Sequence, residues 1–76
     1  MEIYFDKNNE RIKEHYILRS SDGMYYGTKV YYGKVCIIIN GIIGYLNQLA
    51  LPIENGYLLP DFKVIYRGKD NKKWMI

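Results

Sequence analysis

Residues 35–46 read VCIIINGIIGYL, two apolar runs that are separated by the dipeptide Asn40-Gly41. Asn and Gly both tolerate the positive φ angles of a type I′ turn, so Asn-Gly between apolar runs predicts a two-residue β-hairpin. The pairs expected across this hairpin are Ile39 with Ile42, Ile37 with Gly44, and Val35 with Leu46. The centre of the chain is therefore predicted to be a pair of antiparallel strands.

A third strand is expected upstream, within the segment YYGTKVYYGKV at 25–35, in which Tyr-Tyr-Gly occurs twice. A strand that ran unbroken from 24 to 39 would span about 50 Å, which is too long for so small a domain. Gly33-Lys34 supplies the break as a type II′ turn with glycine in the first position. The pairs expected across this turn are Tyr32 with Val35 and Val30 with Ile37.

The alternation of side chains along a strand assigns the residues of this meander to two faces. The predicted core face carries Tyr26, Val30, Tyr32, Val35, Ile37, Ile39, Ile42 and Leu46. The second face carries Tyr25, Gly27, Lys29, Tyr31, Cys36, Ile38, Ile43 and Tyr45. This second face is too apolar to be fully solvated, so we expect that the sheet curls to cover it or that it meets a partner.

The segment RIKEHYILR at 11–19 allows two interpretations. It alternates as a strand, with Ile12, Glu14, Tyr16 and Leu18 on one side. It also permits a helix that Asn8 or Asn9 would cap. We favour the strand.

The remaining segments are expected to complete a β-rich domain. Residues 2–6 are typical of a short strand, and 47–60 reads as a long connection with one helical turn near 47–50. The chain is expected to end in a hairpin of 61–67 and 72–76.

Short strands between dense turn signals predict one all-β domain over residues 1–76, or α+β if 9–19 is helical. The architecture expected is a small, curved antiparallel meander that closes toward an SH3-like barrel. A chain of 76 residues buries only about 60–65% of its unfolded surface, so a large cofactor cleft is not expected.

Composition favours a globular protein of a reducing compartment. The chain is 49% hydrophobic and 25% charged, and its one cysteine cannot form an intrachain disulfide. The N-terminal residues do not resemble a signal peptide, and the longest apolar run, VCIII at 35–39, is far shorter than the ~20 residues of a membrane span. A cytoplasmic location without membrane contact is therefore expected.

Catalytic and metal chemistry are not expected. One histidine and one cysteine, His15 and Cys36, are too few for the three or four ligands of a zinc site. Cys36 lies inside the apolar run, where it is expected to pack as a small hydrophobe and not to act as a nucleophile. Gly41-Ile42-Ile43-Gly44 lacks the spacing and the lysine of a phosphate loop. The sequence predicts no enzyme, no cofactor and no metal.

Binding is the remaining class of function. In a strand over 24–32, Tyr25, Lys29 and Tyr31 project to one side, and Gly27 keeps that side open. The net charge of +3 is concentrated in RGKDNKK at 67–73. The candidate binding residues are Tyr25, Lys29, Tyr31, Lys34, Arg67, Lys69, Lys72 and Lys73.

No family motif is present, and two functions compete for these residues. The first is a small protein-interaction module, either an adaptor or an inhibitor of a host protein like those that phages and mobile elements carry. The alternative is a nucleic-acid-binding β-barrel that stacks bases on tyrosine and contacts phosphates with lysine and arginine. A homodimer through Ile38, Ile43 and Tyr45 is a further possibility.

Overall fold

The computed structural model describes residues 2–46 and 49–68. These residues form strands, turns and irregular segments, with no α-helix among them. The strands are β1 (Tyr4–Phe5), β2 (Ile17–Ser20), β3 (Tyr25–Tyr31), β4 (Lys34–Ile39), β5 (Ile42–Tyr45), β6 (Leu51–Ile53), β7 (Gly56–Leu58) and β8 (Phe62–Tyr66). The all-β prediction is confirmed for this part of the chain.

The strands are arranged in two sheets. The larger sheet has the order β5-β4-β3-β2-β8 with every neighbour antiparallel, so it contains the expected meander and adds β8 beside β2. The smaller sheet has the order β1-β7-β6, in which β1 runs parallel to β7.

The hairpin of β4 and β5 has the predicted register. Ile39 faces Ile42 and Ile37 faces Gly44. Asn40 and Gly41 have φ angles of 50° and 77°, as a type I′ turn requires.

The turn between β3 and β4 lies one residue earlier than predicted. Tyr32 and Gly33 occupy it with φ angles of 51° and 75°, so Tyr31 faces Lys34 and Val30 faces Val35. Tyr32 tolerates this conformation with its side chain in solvent, where it is 93% exposed. The register shifts by two residues, an even number, so each strand residue keeps its predicted face.

Most of the predicted core face is confirmed. Val35, Ile37 and Leu46 are buried, and Tyr26 and Val30 pack against the same cluster. Tyr32 and Ile42 were wrongly assigned to the core. Tyr32 belongs to the turn, and Ile42, which is 69% exposed, begins the edge strand β5.

The core lies between the two sheets. Its buried members are Tyr4, Ile12, Tyr16, Leu18, Val35, Ile37, Leu46, Leu59, Phe62 and Val64. Residues from both sheets appear in this cluster, so the smaller sheet and the loops beside it cover one face of the larger sheet. On the opposite face of the larger sheet, Arg19, Tyr25, Lys29, Ile43, Tyr45, Lys63 and Tyr66 are exposed.

The flanking segments differ from expectation in two places. Within 11–19 only Ile17–Ser20 is a strand, because His15 has a φ of 72° and the Thr28 hydroxyl binds the carbonyls of the preceding loop. The expected connection at 47–60 instead contains the hairpin of β6 and β7. Pro52 is tolerated there because β6 is an edge strand. The predicted second strand at 72–76 lies outside the described residues.

Gly56 is required where β7 meets β1. A side chain at this position would collide with the backbone oxygen of Ile3, and Gly56 has a φ of 150°. The amide of Tyr57 donates to that same oxygen at 2.8 Å. The close parallel pairing of the two strands therefore depends on a glycine here.

The larger sheet does not close into a barrel, because its two outer strands have different surroundings. Phe62 of β8 accepts a 2.9 Å hydrogen bond from the amide of Lys7, and the Val64 amide donates to Asp6 Oδ2 at 2.9 Å. These contacts occupy the edge that would have to pair with β5. The SH3-like barrel is therefore not observed in the described residues.

The carboxylate of Asp6 joins the two sheets. Asp6 follows β1 and is only 1% exposed. Its Oδ1 accepts the amides of Asn8 at 2.9 Å and Glu10 at 2.8 Å, while Oδ2 accepts the amide of Val64 in β8. One side chain thus shapes the loop after β1 and attaches that loop to the larger sheet.

Replacing Asp6 by Ala is expected to lower the free energy of unfolding by about 3 kcal/mol, because a buried donor without an acceptor costs about 1–3 kcal/mol. Asp6→Asn retains only one acceptor oxygen and should lie between this variant and the wild type. Urea denaturation measures the change, with Glu54→Ala in an exposed turn as the control. A loss no larger than that of the control would contradict the role given to Asp6.

Candidate functional site

The outward-facing side of the larger sheet, here called the outer face, is built by residues from all five strands. Side chains that lie directly opposite one another on neighbouring strands share a face. The pairing registers therefore place on the outer face Ile17, Arg19, Tyr25, Gly27, Lys29, Tyr31, Lys34, Cys36, Ile38, Ile43, Tyr45, Lys63 and Tyr66.

An apolar row crosses the middle of the outer face. Reading across the sheet from β5 to β8, the register aligns Ile43, Ile38, Gly27, Ile17 and Tyr66. Ile43 and Tyr66 are 43% and 50% exposed, and the two inner isoleucines are half-buried. A row of this kind offers apolar area that water covers in the free protein.

Gly27 creates a gap at the centre of this row. A Cβ atom at Gly27 would find no other atom within 4 Å, and no positive φ angle requires glycine at this position. The backbone of β3 is therefore open between the side chains of Ile38 and Ile17. Glycine is unfavourable inside a strand, which suggests that it serves the close approach of another group.

Cations and tyrosines lie on both sides of the apolar row. On one side, Tyr25, Arg19 and Lys63 are aligned across three strands. The guanidinium of Arg19 lies 5.9 Å from the centre of the Tyr25 ring. This distance is within the range of a cation–π interaction, which orients both side chains on the surface.

The other side of the row carries Lys29, Lys34, Tyr31 and Tyr45. Tyr31 lies opposite Lys34, and the Lys34 ammonium is 5.8 Å from the centre of the Tyr45 ring. The five strands of the larger sheet contain four cations and no aspartate or glutamate. The outer face therefore presents an apolar centre with positive charge on two sides.

Cys36 and His15 are in separate surroundings. Cys36 is fully buried between Lys29 and Tyr45 in the register, and burial raises the pKa of its thiol. His15 is exposed, with its Nε2 atom 3.7 Å from Glu14. Lys29 and Lys34 lie near the thiol, but burial denies it the exposure that a nucleophilic cysteine uses.

The structure unites only some of the residues proposed from the sequence. Tyr25, Lys29 and Tyr31 share the outer face, as expected, and Lys34 joins them. Arg67 is instead engaged with the carboxylate of Glu10, and this ion pair raises its pKa. Lys69, Lys72 and Lys73 lie outside the described residues.

The sequence analysis missed Arg19, Lys63, Ile17 and Tyr66. Alternation within β2 and β8 is visible in the sequence, but it does not reveal which strands lie beside β3. The three residues of the proposed homodimer, Ile38, Ile43 and Tyr45, also lie on the outer face.

Comparison with known proteins does not identify this chain. No protein-family model, no curated protein and no solved structure matches it. Across residues 2–46 and 49–68, no three His, Cys, Asp or Glu side chains are grouped as a metal site would require. The same part of the chain contains no helix with the length and hydropathy of a membrane span.

The Cys36 thiol should react slowly with Ellman's reagent in the native protein. Burial denies the reagent access, and the raised pKa keeps the thiol protonated at neutral pH. In concentrated urea the same protein should react at the rate of a free thiol. Rapid labelling of the folded protein would show that the outer face opens around Cys36.

Proposed function

We propose that this chain is a non-catalytic binding protein whose outer face takes an acidic surface of another protein. The observation that supports this most is the apolar row with its central gap, accompanied by cations and by no carboxylate from the strands. An apolar centre with a polar rim is the usual anatomy of a protein–protein interface.

The residue types also suit this function. Tyrosine and arginine contribute most of the binding energy in many interfaces, because they supply large contact areas and several hydrogen-bond donors. Tyr25, Tyr45 and Tyr66 are each about half exposed and available for such contacts. The surrounding cations would speed association with an acidic partner and exclude basic ones.

The mode of action that follows is occlusion or bridging. A protein with this face could act as an adaptor, or as an inhibitor that covers a functional surface of a host protein in the manner of phage and mobile-element products. An acidic, partly apolar partner surface is common to both roles.

Filling the gap with Gly27→Phe tests the proposal. The site is open and the backbone extended, so the variant should fold with unchanged or higher thermal stability. In a pull-down from the host cells, the tagged variant should not retain the host protein that the tagged wild-type chain retains. Leu51→Phe, on the exposed strand β6, is the matched control and should retain the same protein.

Two results would contradict the proposal. One is equal retention of the same protein by Gly27→Phe and the wild type. The other is the absence of any retained protein when the chain is covalently cross-linked in its host before lysis.

A nucleic acid is the second candidate, and the aromatic content of the outer face favours it. Tyr25, Tyr31, Tyr45 and Tyr66 share that face with four cations, and stacking on such rings contributes about 1–3 kcal/mol per base. The isoleucines at the centre of the face fit this use less well, because they neither stack on bases nor contact phosphates.

Salt titration separates the two candidates. A nucleic-acid-binding face should hold a single-stranded oligonucleotide with micromolar or tighter affinity, and the affinity should fall steeply as salt rises because phosphate contacts release counterions. Fluorescence anisotropy measures this directly. Absence of binding at low salt would remove the nucleic-acid candidate and leave the protein partner.

A second copy of the chain would also cover Ile38, Ile43 and Tyr45. Light scattering of the purified protein after size-exclusion chromatography distinguishes this case. A dimer mass that Gly27→Phe converts to a monomer would assign the outer face to self-association.

A further inference from the structure

A small pocket lies at the end of the larger sheet where β2 and β8 meet their loops. Its volume is about 150 Å³, and its lining residues are Lys7, Arg19, Ser20, Ser21, Asp61 and Lys63. Three cations thus share one concave site with two hydroxyl groups and a single carboxylate. None of these cations belonged to the binding residues inferred from the sequence.

The cations are brought together by the backbone. Arg19 and Lys63 lie directly opposite each other on β2 and β8. The backbone amide of Lys7 donates to the carbonyl oxygen of Phe62 at 2.9 Å, which places Lys7 next to Lys63. Like charges in directly opposed positions destabilise a sheet, so this arrangement is unfavourable without a compensating group.

The described residues compensate only part of this positive charge. In this part of the chain, the ion pair of Arg67 with Glu10 and the contact of His15 with Glu14 involve no cation of the pocket. Asp61 lies at the pocket, but its Oδ1 atom is 3.5 Å from the Ser21 hydroxyl that donates to it. A second carboxylate, Asp22, accepts a hydrogen bond from the Ser20 hydroxyl beside the pocket, so the three cations face two nearby carboxylates and leave a positive excess.

The hydroxyl side of the pocket is held in place by hydrogen bonds. The Ser21 amide donates to the Asp61 carbonyl at 2.9 Å, which ties the loop after β2 to the loop before β8. The Ser20 amide donates to the Met24 carbonyl at 2.8 Å. The backbone of both serines is thus held beside the cations, while in the free protein the Ser20 hydroxyl donates to Asp22 and the Ser21 hydroxyl to Asp61.

We propose that this pocket binds the phosphate group of a phosphorylated side chain on the partner protein. A phosphate offers several acceptor oxygens to the fork of Arg19, to the ammonium groups of the two lysines and to the serine hydroxyls. Its negative charge also removes the repulsion between Arg19 and Lys63. That the phosphate belongs to a protein, and not to another kind of molecule, rests on the proposed function.

The position of the pocket favours one phosphate over a chain of them. Tyr25, Arg19 and Lys63 are aligned across three strands on one side of the apolar row. Lys29 and Lys34 lie on the other side of that row. A nucleic-acid strand would need a continuous track of cations, and the apolar row interrupts it. A single phosphate at the rim of a protein interface fits this distribution.

Inorganic phosphate is the first probe, because its binding does not depend on any partner. Titration followed by amide NMR should give saturable shifts confined to residues 7, 19–21 and 61–63. Arg19→Gln should weaken this binding about tenfold, since it removes a charged donor. Asp61→Asn should strengthen it, because the carboxylate that lines the pocket loses its negative charge.

Arg11→Gln is the matched control, as Arg11 is exposed and lies outside both the pocket and the outer face. It should bind phosphate like the wild type. The amide spectrum of each variant verifies that it is folded. Absence of saturable shifts, or equal binding by Arg19→Gln and the wild type, would overturn the phosphate site.

The second probes are a phosphoserine peptide, its unphosphorylated twin and a short single-stranded oligonucleotide. The phosphopeptide should bind at the pocket in competition with inorganic phosphate, and its twin should not. If the oligonucleotide instead binds more tightly than the phosphopeptide and also shifts the amide signals of Lys29 and Lys34, the proposal that the phosphate belongs to a protein is overturned. If the pocket binds phosphate but Gly27→Phe still retains every protein that the wild type captures in the pull-down, the proposed function is refuted and the phosphate site is not.

Discussion

The carboxylate of Asp6 is the contact on which the two-sheet arrangement depends. It is buried, and it accepts backbone amides from its own loop and from β8 of the opposite sheet. A buried carboxylate is costly unless its oxygens are fully hydrogen-bonded, and here three amides satisfy them. In a domain with few core side chains, this polar contact orients one sheet on the other in a way that apolar packing alone does not specify.

Fixing the sheets in this way determines which surface remains for function. The smaller sheet covers one face of the larger one, and Asp6 and Lys7 occupy the free edge of β8. The larger sheet is therefore kept from closing, and each of its five strands leaves at least one partly exposed side chain on the outer face. The constraint that stabilises the core is thus also the reason that the outer face, the proposed binding surface, does not become the outside of a closed barrel.

Several positions on the outer face are unfavourable for stability. Gly27 weakens the central strand, and the opposed pair Arg19 and Lys63 places like charges side by side. The isoleucines of the outer face are partly exposed to water. Local rules of stability are most often broken where function requires it, and these features all lie on one face.

The sequence by itself determined the strands of the meander and its turn at Asn40-Gly41, because this dipeptide and strand alternation act through local geometry. It located the other turn only to within one residue, since Tyr32 and Gly33 form it in place of Gly33 and Lys34. It also determined that Tyr25, Lys29 and Tyr31 share a face, since alternation does not depend on neighbours. Only the tertiary structure decided that β2 and β8 flank β3, and so brought Arg19, Lys63 and Lys7 together. It also decided against the barrel, because a buried side chain of Asp6, distant in sequence, occupied the edge that closure needed. Contacts between distant segments have no local signal, and here they decided both the openness of the face and its charge.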